Sequence, residues 1–435
     1  MGVVLPLLIF VFVGVTTAFV ASARVAPAER AALLKMLLWA FVLRVLVATV
    51  FEVVPSLRIF HEDADGYEAF GVLLAGSWHG RYPPIAVGGM NYGFYYLAGA
   101  LCYVFGPYGF NVPLFNAVLG TVTVFFIYCL ARRFYHVLVA RLAAGLVAYT
   151  PSMVLWSGIA LKDALVTLLI VLSLYSCVNL KRGFTTRAFL GTVLPIAAIQ
   201  PIRFYMVYFV IFSVVVALVL DRGTRAMAGI YKQLLVALTM AGLLMLVGLS
   251  GYTVEGTEYL NLETISSYRT GMAATANSGF SQDVDISTPQ GALGFLPVGM
   301  ATLLLAPFPW QMISLRPLIA APETIAWWLL FPATIHGLIF TVRKRFAHAS
   351  PLLLFAASLT IAYSLMQGNV GSAFRQRAQI FVFLFIFTAV GWYRNKCRKM
   401  GLDENLLLQP DDYQVPPSEA PPKAAAAAGA GAVVT

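Results

Sequence analysis

The chain has 435 residues, of which 60% are hydrophobic and 11% charged, with a mean hydropathy of +0.81. This composition excludes a soluble globular domain and is that of a polytopic membrane protein, in which apolar runs of about 20 residues cross the bilayer. The formal net charge of +10 sits in short basic clusters between hydrophobic runs, which marks the cytoplasmic side of a membrane rather than a nucleic-acid surface.

The first run, residues 5–22, ends in Ala21-Ser22-Ala23, but no charged side chain precedes it, so it reads as a retained helix rather than a cleaved signal. Basic clusters begin at Arg24, Arg132, Lys181, Arg222, Arg343 and Arg394. Placing all six inside predicts an all-α bundle of about eleven spans with the N-terminus outside. The spans fall near 5–22, 34–54, 111–131, 138–156, 164–180, 188–201, 204–221, 233–250, 323–342, 350–366 and 378–394.

The apolar stretches 91–106 and 291–310 would invert every later cluster if they crossed, so both are expected to be interfacial or re-entrant. Two large external loops follow, about 55–110 and 251–322. The chain then divides into an N-terminal helix and turn (1–33), a transmembrane module (34–250), an external loop (251–322), C-terminal helices (323–399) and a cytoplasmic tail (400–435). The Pro- and Ala-rich tail is expected to be disordered. The four cysteines have neither pairable nor metal-ligand spacing. With no Gly-rich phosphate loop and no long cytoplasmic segment, chemistry is expected in or above the membrane.

Four external places carry polar groups that cost free energy at membrane depth. In the first loop, Glu62, Asp63, Asp65 and Glu68 crowd into seven positions, more than one helix cap requires. Lys162 and Asp163 interrupt an apolar helix boundary, and Arg203 follows Pro201 in a short turn. Arg375 and Arg377 lie outside, against the charge bias that the clusters obey. Each has an ordinary structural reading as a cap, a headgroup pair or a snorkelling side chain. Together they suit a site that deprotonates a nucleophile at one end and neutralises an anionic leaving group at the other, with Asp63 as base and Arg203, Arg375 and Arg377 on a donor phosphate. Sugar nucleotides are made in the cytosol, so an external site is more naturally supplied by a polyprenyl-phosphate-linked sugar.

The stretch Asp63-Ala-Asp-Gly-Tyr67, followed about a hundred residues later by Asp163 after YTPSMVLWSGIALK, resembles the GT-C superfamily of polytopic glycosyltransferases. That superfamily includes protein O-mannosyltransferases, the lipid A aminoarabinose transferase and the oligosaccharyltransferase catalytic subunit. The resemblance covers roughly residues 35–220, and GSAFRQRAQIFVFLFIF is similar to the Arg-containing last external turn of bacterial members. It implies inverting sugar transfer from a polyprenyl-phosphate-linked donor to a glycan, lipid or protein acceptor. Asp63, Asp65 and Asp163 would be catalytic, with Glu62, Tyr67, Lys162, Arg203, Arg375 and Arg377 binding substrate.

Some members use a divalent metal ion and others do not; Asp63 and Asp65 with His61 or His79 offer ligands for Mg or Mn. The implied location is the bacterial inner (cytoplasmic) membrane, with the site facing the periplasm. The extra helix before the acidic loop, and the absence from this sequence of a large C-terminal soluble domain, favour single-sugar transfer. An O-antigen polymerase or ligase-like enzyme also uses external arginines but gives less reason for Asp63-x-x-x-Tyr67. A lipid-linked sugar flippase calls for inverted repeats that the sequence lacks.

Overall fold

The centre of the bundle is a helix that is buried on every side. In the computed structural model, residues 378–391 near the C-terminus are enclosed without interruption, although a lipid-facing helix would expose a stripe. The structure describes residues 4–54, 57, 62–88, 92–220, 236, 238–242, 261–276, 278–312 and 315–409. These are α-helical with no strand, as the composition requires, apart from two isolated β-bridges.

In chain order the helices are α1 (Val4–Ala23), α2 (Pro27–Val53), α3 (Glu62–Trp78), α4 (Tyr92–Phe105), α5 (Asn111–Phe134), α6 (Val137–Tyr149), α7 (Pro151–Trp156), α8 (Asp163–Arg182), α9 (Thr186–Arg203) and α10 (Tyr205–Val219). They continue with α11 (Leu262–Thr275), α12 (Pro289–Leu305), α13 (Leu315–Met366), α14 (Val370–Gln376) and α15 (Ala378–Lys399). Among the described residues, α1, α2, α5, α8 and α13 are long and apolar enough to cross a membrane, and the bent pair α14–α15 makes a sixth if counted as one span.

The differences from the sequence reading have local causes. The span expected over 138–156 is broken at Thr150, because Pro151 has no N–H to continue α6. The spans expected over 323–342 and 350–366 are the two arms of α13, two helices that meet without a loop at a kink where Arg345 leaves helical geometry (φ −140°, ψ 23°). Lys181, at the end of α8, donates to Ser350 Oγ at 3.0 Å and to the Ala347 carbonyl beside that kink. The stretches 91–106 and 291–310 become α4 and α12, of 14 and 17 residues, about 21 and 26 Å long, short of a 30 Å hydrocarbon core. The span expected at 233–250, and the basic cluster at Arg222, lie almost wholly outside the described residues.

The start of the expected disordered tail is folded. Residues 404–407 form a 3-10 turn, Leu408 bridges to Tyr135, and His136 N–H donates to the Leu407 carbonyl at 2.8 Å. Glu404 pairs with Arg394 at 2.7 Å and Arg398 at 2.8 Å, which fixes that turn to the end of α15. Residues 410–435 lie outside the described residues.

Two contacts set the positions of the helix ends that carry polar groups. Helices α13 and α15 cross with their backbones touching: a Cβ on Gly337 would lie 1.8 Å from the Phe387 carbonyl oxygen, and one on Gly391 1.8 Å from that of Ala333. Thr334 and Thr388 hydroxyls meet across the same crossing at 2.8 Å. Helices α8 and α9 are joined by the short segment 183–185, with Thr185 capping Ala188 N–H at 3.2 Å. That hairpin brings the first residue of α8 beside the last of α9.

The proposed orientation has a direct test in thiol labelling, because all four native cysteines are buried. Cysteines at Gly88 and Gly271, positions with open space around them, should react with an impermeant reagent from outside, and one at Gly183 should not. Labelling of Gly88→Cys and Gly271→Cys from opposite sides would break the topology.

Candidate functional site

Asp163 is the first residue of α8 and is buried, with about 4% of its side chain accessible. A carboxylate in the first turn is favoured by the orphan N–H groups there, but burial demands further partners. Arg203, also buried, places Nη2 2.9 Å from Asp163 Oδ1. Gln379 of α15 donates Nε2 to the same oxygen at 3.2 Å. Arg375 of α14 holds Nε 3.8 Å from Asp163 Oδ2 and, at its other end, Nη1 2.6 Å from Asp63 Oδ2. Asp63, in the first turn of α3, has 53% of its side chain accessible. The result is a line of alternating charge, Asp63, Arg375, Asp163, Arg203, that runs from the surface into the bundle across four helices far apart in sequence.

Two N–H groups on this line are unspent. Neither Arg203 Nη1 nor Arg375 Nε has a hydrogen-bond partner among the described residues, although both atoms are buried. Lys162, the residue before α8, adds a third cation; burial first, then the Arg203 guanidinium, push its ammonium down to about 7 against the opposing pull of Asp163. Tyr67 lies four residues after Asp63 on the same face of α3, its ring 4.8 Å from those of Phe94 and Tyr95. Burial raises its phenol above the ordinary range, and Tyr95, Asp163 and Asp63 add to the effect.

Other expected site residues fall elsewhere. Residues two apart on a helix are about 200° apart around its axis, so Asp65 does not share Asp63's face and is exposed. Arg377 is separated from Arg375 in the same way. It is enclosed, donating Nη1 to the Ala306 carbonyl at 2.6 Å, approaching Glu323 at 3.7 Å, and stacking on Phe374 at 4.0 Å and Phe381 at 4.8 Å. It holds α12, α13 and α15 together and does not reach the site line. Glu62 opens α3, but its side chain and His61 lie outside the described residues. His79 stacks on Tyr103 at 4.3 Å, at the far end of α3 and about 24 Å along the axis from Asp63. Among the described residues no three His, Cys, Asp or Glu side chains gather to hold a metal ion. Of the expected ligands, His61 lies outside the described residues, and Asp63 faces the Arg375 guanidinium.

Sequence reasoning missed the residues that fix the backbone under Lys162 and Asp163. Pro151 leaves the Val147 carbonyl without its helical donor, and Ser152 N–H turns instead to Glu323 Oε2 at 2.6 Å, which frees Ala148 as well. Arg44 of α2, fully buried, fills both places: Nη2 donates to Val147 O and Nη1 to Ala148 O, each at 3.1 Å, while Nε donates to Ser157 Oγ at 2.8 Å. Asn116 of α5 donates to the Ile159 and Leu161 carbonyls, both at 2.8 Å. An arginine and an asparagine inside apolar runs were the visible signals.

Residues 278–280 bridge to 368–370, and Asn369 caps the helix that carries Arg375 through Gly371 N–H at 2.8 Å.

The sequence and the fold were compared with known proteins. The profile of the dolichyl-phosphate-mannose-protein mannosyltransferase family matches residues 92–247, a stretch that includes Lys162, Asp163 and Arg203. That stretch of the chain is similar to this family of membrane mannosyltransferases. Among solved structures it is similar to the archaeal oligosaccharyltransferase from Archaeoglobus fulgidus in complex with an inhibitory peptide and a dolichol-phosphate, at a TM-score of 0.44 and 13% identity. The apo form from the same organism gives a TM-score of 0.42 and 13% identity. Each similarity covers 84% of this chain and 52% of the solved one, so the chain spans about half the length of the structures it matches. No curated protein matches the sequence.

Replacement of Arg44 by Met should destabilise the fold and slow any chemistry at the site together, since it orphans two buried carbonyls at about 1–3 kcal/mol each. Thermal unfolding in detergent measures the first effect; unchanged stability would remove Arg44 from this role.

Proposed function

We propose that this chain is an integral-membrane glycosyltransferase that moves a sugar from a polyprenyl-phosphate-linked donor to a glycan, lipid or protein acceptor on the external face, with inversion. The observation that carries this reading is the convergence of Asp63, Asp163, Arg203 and Arg375 in one line, with one accessible carboxylate and unspent guanidinium N–H groups at buried depth. The family profile, whose name specifies a lipid-phosphate-linked sugar, supports the same donor class.

In this reaction Asp63 takes the proton of the acceptor hydroxyl as its oxygen attacks the anomeric carbon. The bond from that carbon to the phosphate oxygen breaks, and its electron pair leaves with the polyprenyl phosphate. Arg375, Arg203 and protonated Lys162 meet the charge that develops on the leaving group. A donor phosphate that engages Arg375 also competes with Asp63 for that guanidinium, so donor binding frees the base for the acceptor. Tyr67, one turn after Asp63 on α3, packs on Phe94 and Tyr95 and anchors the helix that carries the base. Arg377 has no part in this scheme. No step requires a metal ion, and the bacterial inner membrane with a periplasmic site is the matching location.

The reading is tested with a C10 prenyl-phosphate mannose as donor probe and total membrane lipid or glycan extract as acceptor, scoring release of free prenyl phosphate. Asp63→Asn should lower turnover by about 10² to 10⁴, the range for loss of a general base, with donor binding retained. Arg375→Lys keeps the charge but loses the fork, and should lower turnover as well. Near-wild-type turnover in both variants would place the chemistry elsewhere.

Lys162 supplies a second, pH-dependent test. Its folded-state value of about 7 lies below the ordinary 10.5, so it is charged below that pH and neutral above it. The donor KM should therefore rise as pH increases from about 6 to 8, and Lys162→Arg, charged throughout, should flatten that rise. An identical pH dependence in both proteins would remove Lys162 from the phosphate.

A further inference from the structure

Gln379 is a lone amide near the start of a helix otherwise buried among Phe, Ile, Leu and Val, where an unpaired amide costs about 1–3 kcal/mol. Both of its ends are used. Nε2 donates to Asp163 Oδ1 at 3.2 Å, and Oε1 accepts from Tyr363 OH at 2.8 Å. Tyr363, buried on α13, meets Tyr205 OH of α10 at 3.4 Å. The carboxylate only accepts, so Gln379 turns its NH₂ group to Asp163, and the Tyr363 hydroxyl donates to the amide oxygen left over and holds the amide in that orientation. Asp163 Oδ1 then receives two donors, from Gln379 and Arg203, while Oδ2 has only the looser approach of Arg375 at 3.8 Å. One carboxylate oxygen is pinned, and the other is turned toward the line of site residues.

We propose that Gln379 and Tyr363 are positioning residues: Tyr363 orients the Gln379 amide, and the amide fixes the rotation of Asp163 so that Oδ2 faces Arg375 and the incoming phosphate-linked donor. This deepens the proposed transferase reading and rests on it for its effect on turnover, but not for the geometry. Tyr363 acts only through Gln379, so the two residues are one unit. Loss of both costs no more than loss of Gln379 alone, whereas two independent packing defects would add.

The test has two arms on purified full-length protein. The first needs no substrate: the carboxylate stretch of Asp163 is isolated in the infrared by subtracting the spectrum of the matching Asp163→Asn protein. Gln379→Leu should shift that band, Tyr363→Phe should shift it less, and the double variant should match Gln379→Leu. The second arm measures turnover with the C10 prenyl-phosphate mannose probe. Gln379→Leu should lower kcat by about 10- to 100-fold, the scale of a small misplacement, with donor KM changed less than threefold, and Tyr363→Phe by less. The double variant should be no slower than Gln379→Leu. A band unmoved by Gln379→Leu, or losses that add in the double variant, would overturn the positioning role. Wild-type turnover in Asp163→Asn would instead overturn the transferase reading of this site, a result the infrared arm separates from the first.

Discussion

A carboxylate deep enough in a membrane protein to lose its water stays charged only where other groups replace that water, and Asp163 meets this constraint with two donors and a third, more distant cation. Arg203, Gln379 and Arg375 come from α9, α15 and α14, so the requirement of one side chain joins three parts of the chain. Removing one partner of such a buried pair typically costs about 3–5 kcal/mol, because it strands the other charge. The groups beyond this point are consequences of it. Arg375 is long enough to approach Asp163 and bond Asp63 together, and that second contact joins α3 to the bundle.

The same logic governs the backbone. Pro151 breaks a helix where a straight one would have carried Lys162 and Asp163 past the site, and the break frees carbonyls that must find donors. Arg44 and Asn116 supply them from α2 and α5, so the segment leading to Asp163 is held by two helices from earlier in the chain. A proline that would be only a defect in an isolated helix becomes a bend of defined shape once its orphaned groups are capped.

The helical class, the membrane setting and most of the helices were legible because apolar run length and basic clusters report directly on burial in lipid. The membership of the site was half legible. Asp63, Asp163, Arg203 and Arg375 stand out as charges in apolar surroundings, and the structure brings all four together. Asp65 and Arg377, expected beside them, lie off this line: two residues on means the opposite face, so each close pair of like charges splits between the line and another position. Gln379, Tyr363, Arg44 and Asn116 were invisible as partners, since nothing local says what a single polar residue in an apolar helix will meet. The break at Arg345 falls inside the basic cluster that separated the two expected spans, whereas the fold of residues 404–409 depends on contacts between distant segments and carries no local signature.

The crossing of α13 and α15 has a mechanical side. With Gly337 and Gly391 in backbone contact, the two helices have no side-chain layer in which to slide, and the motion left to them is rotation about that point. Gln379 lies 12 residues from Gly391, an arm of about 18 Å, while Arg394 and its Glu404 partner sit within one turn on the other side. The pair is an unequal lever. A few degrees of rocking at the fulcrum moves the Gln379 end by an ångström or more, while the Arg394 end barely shifts, so the C-terminal ion pairs brace the short arm and thereby limit the swing of the long one.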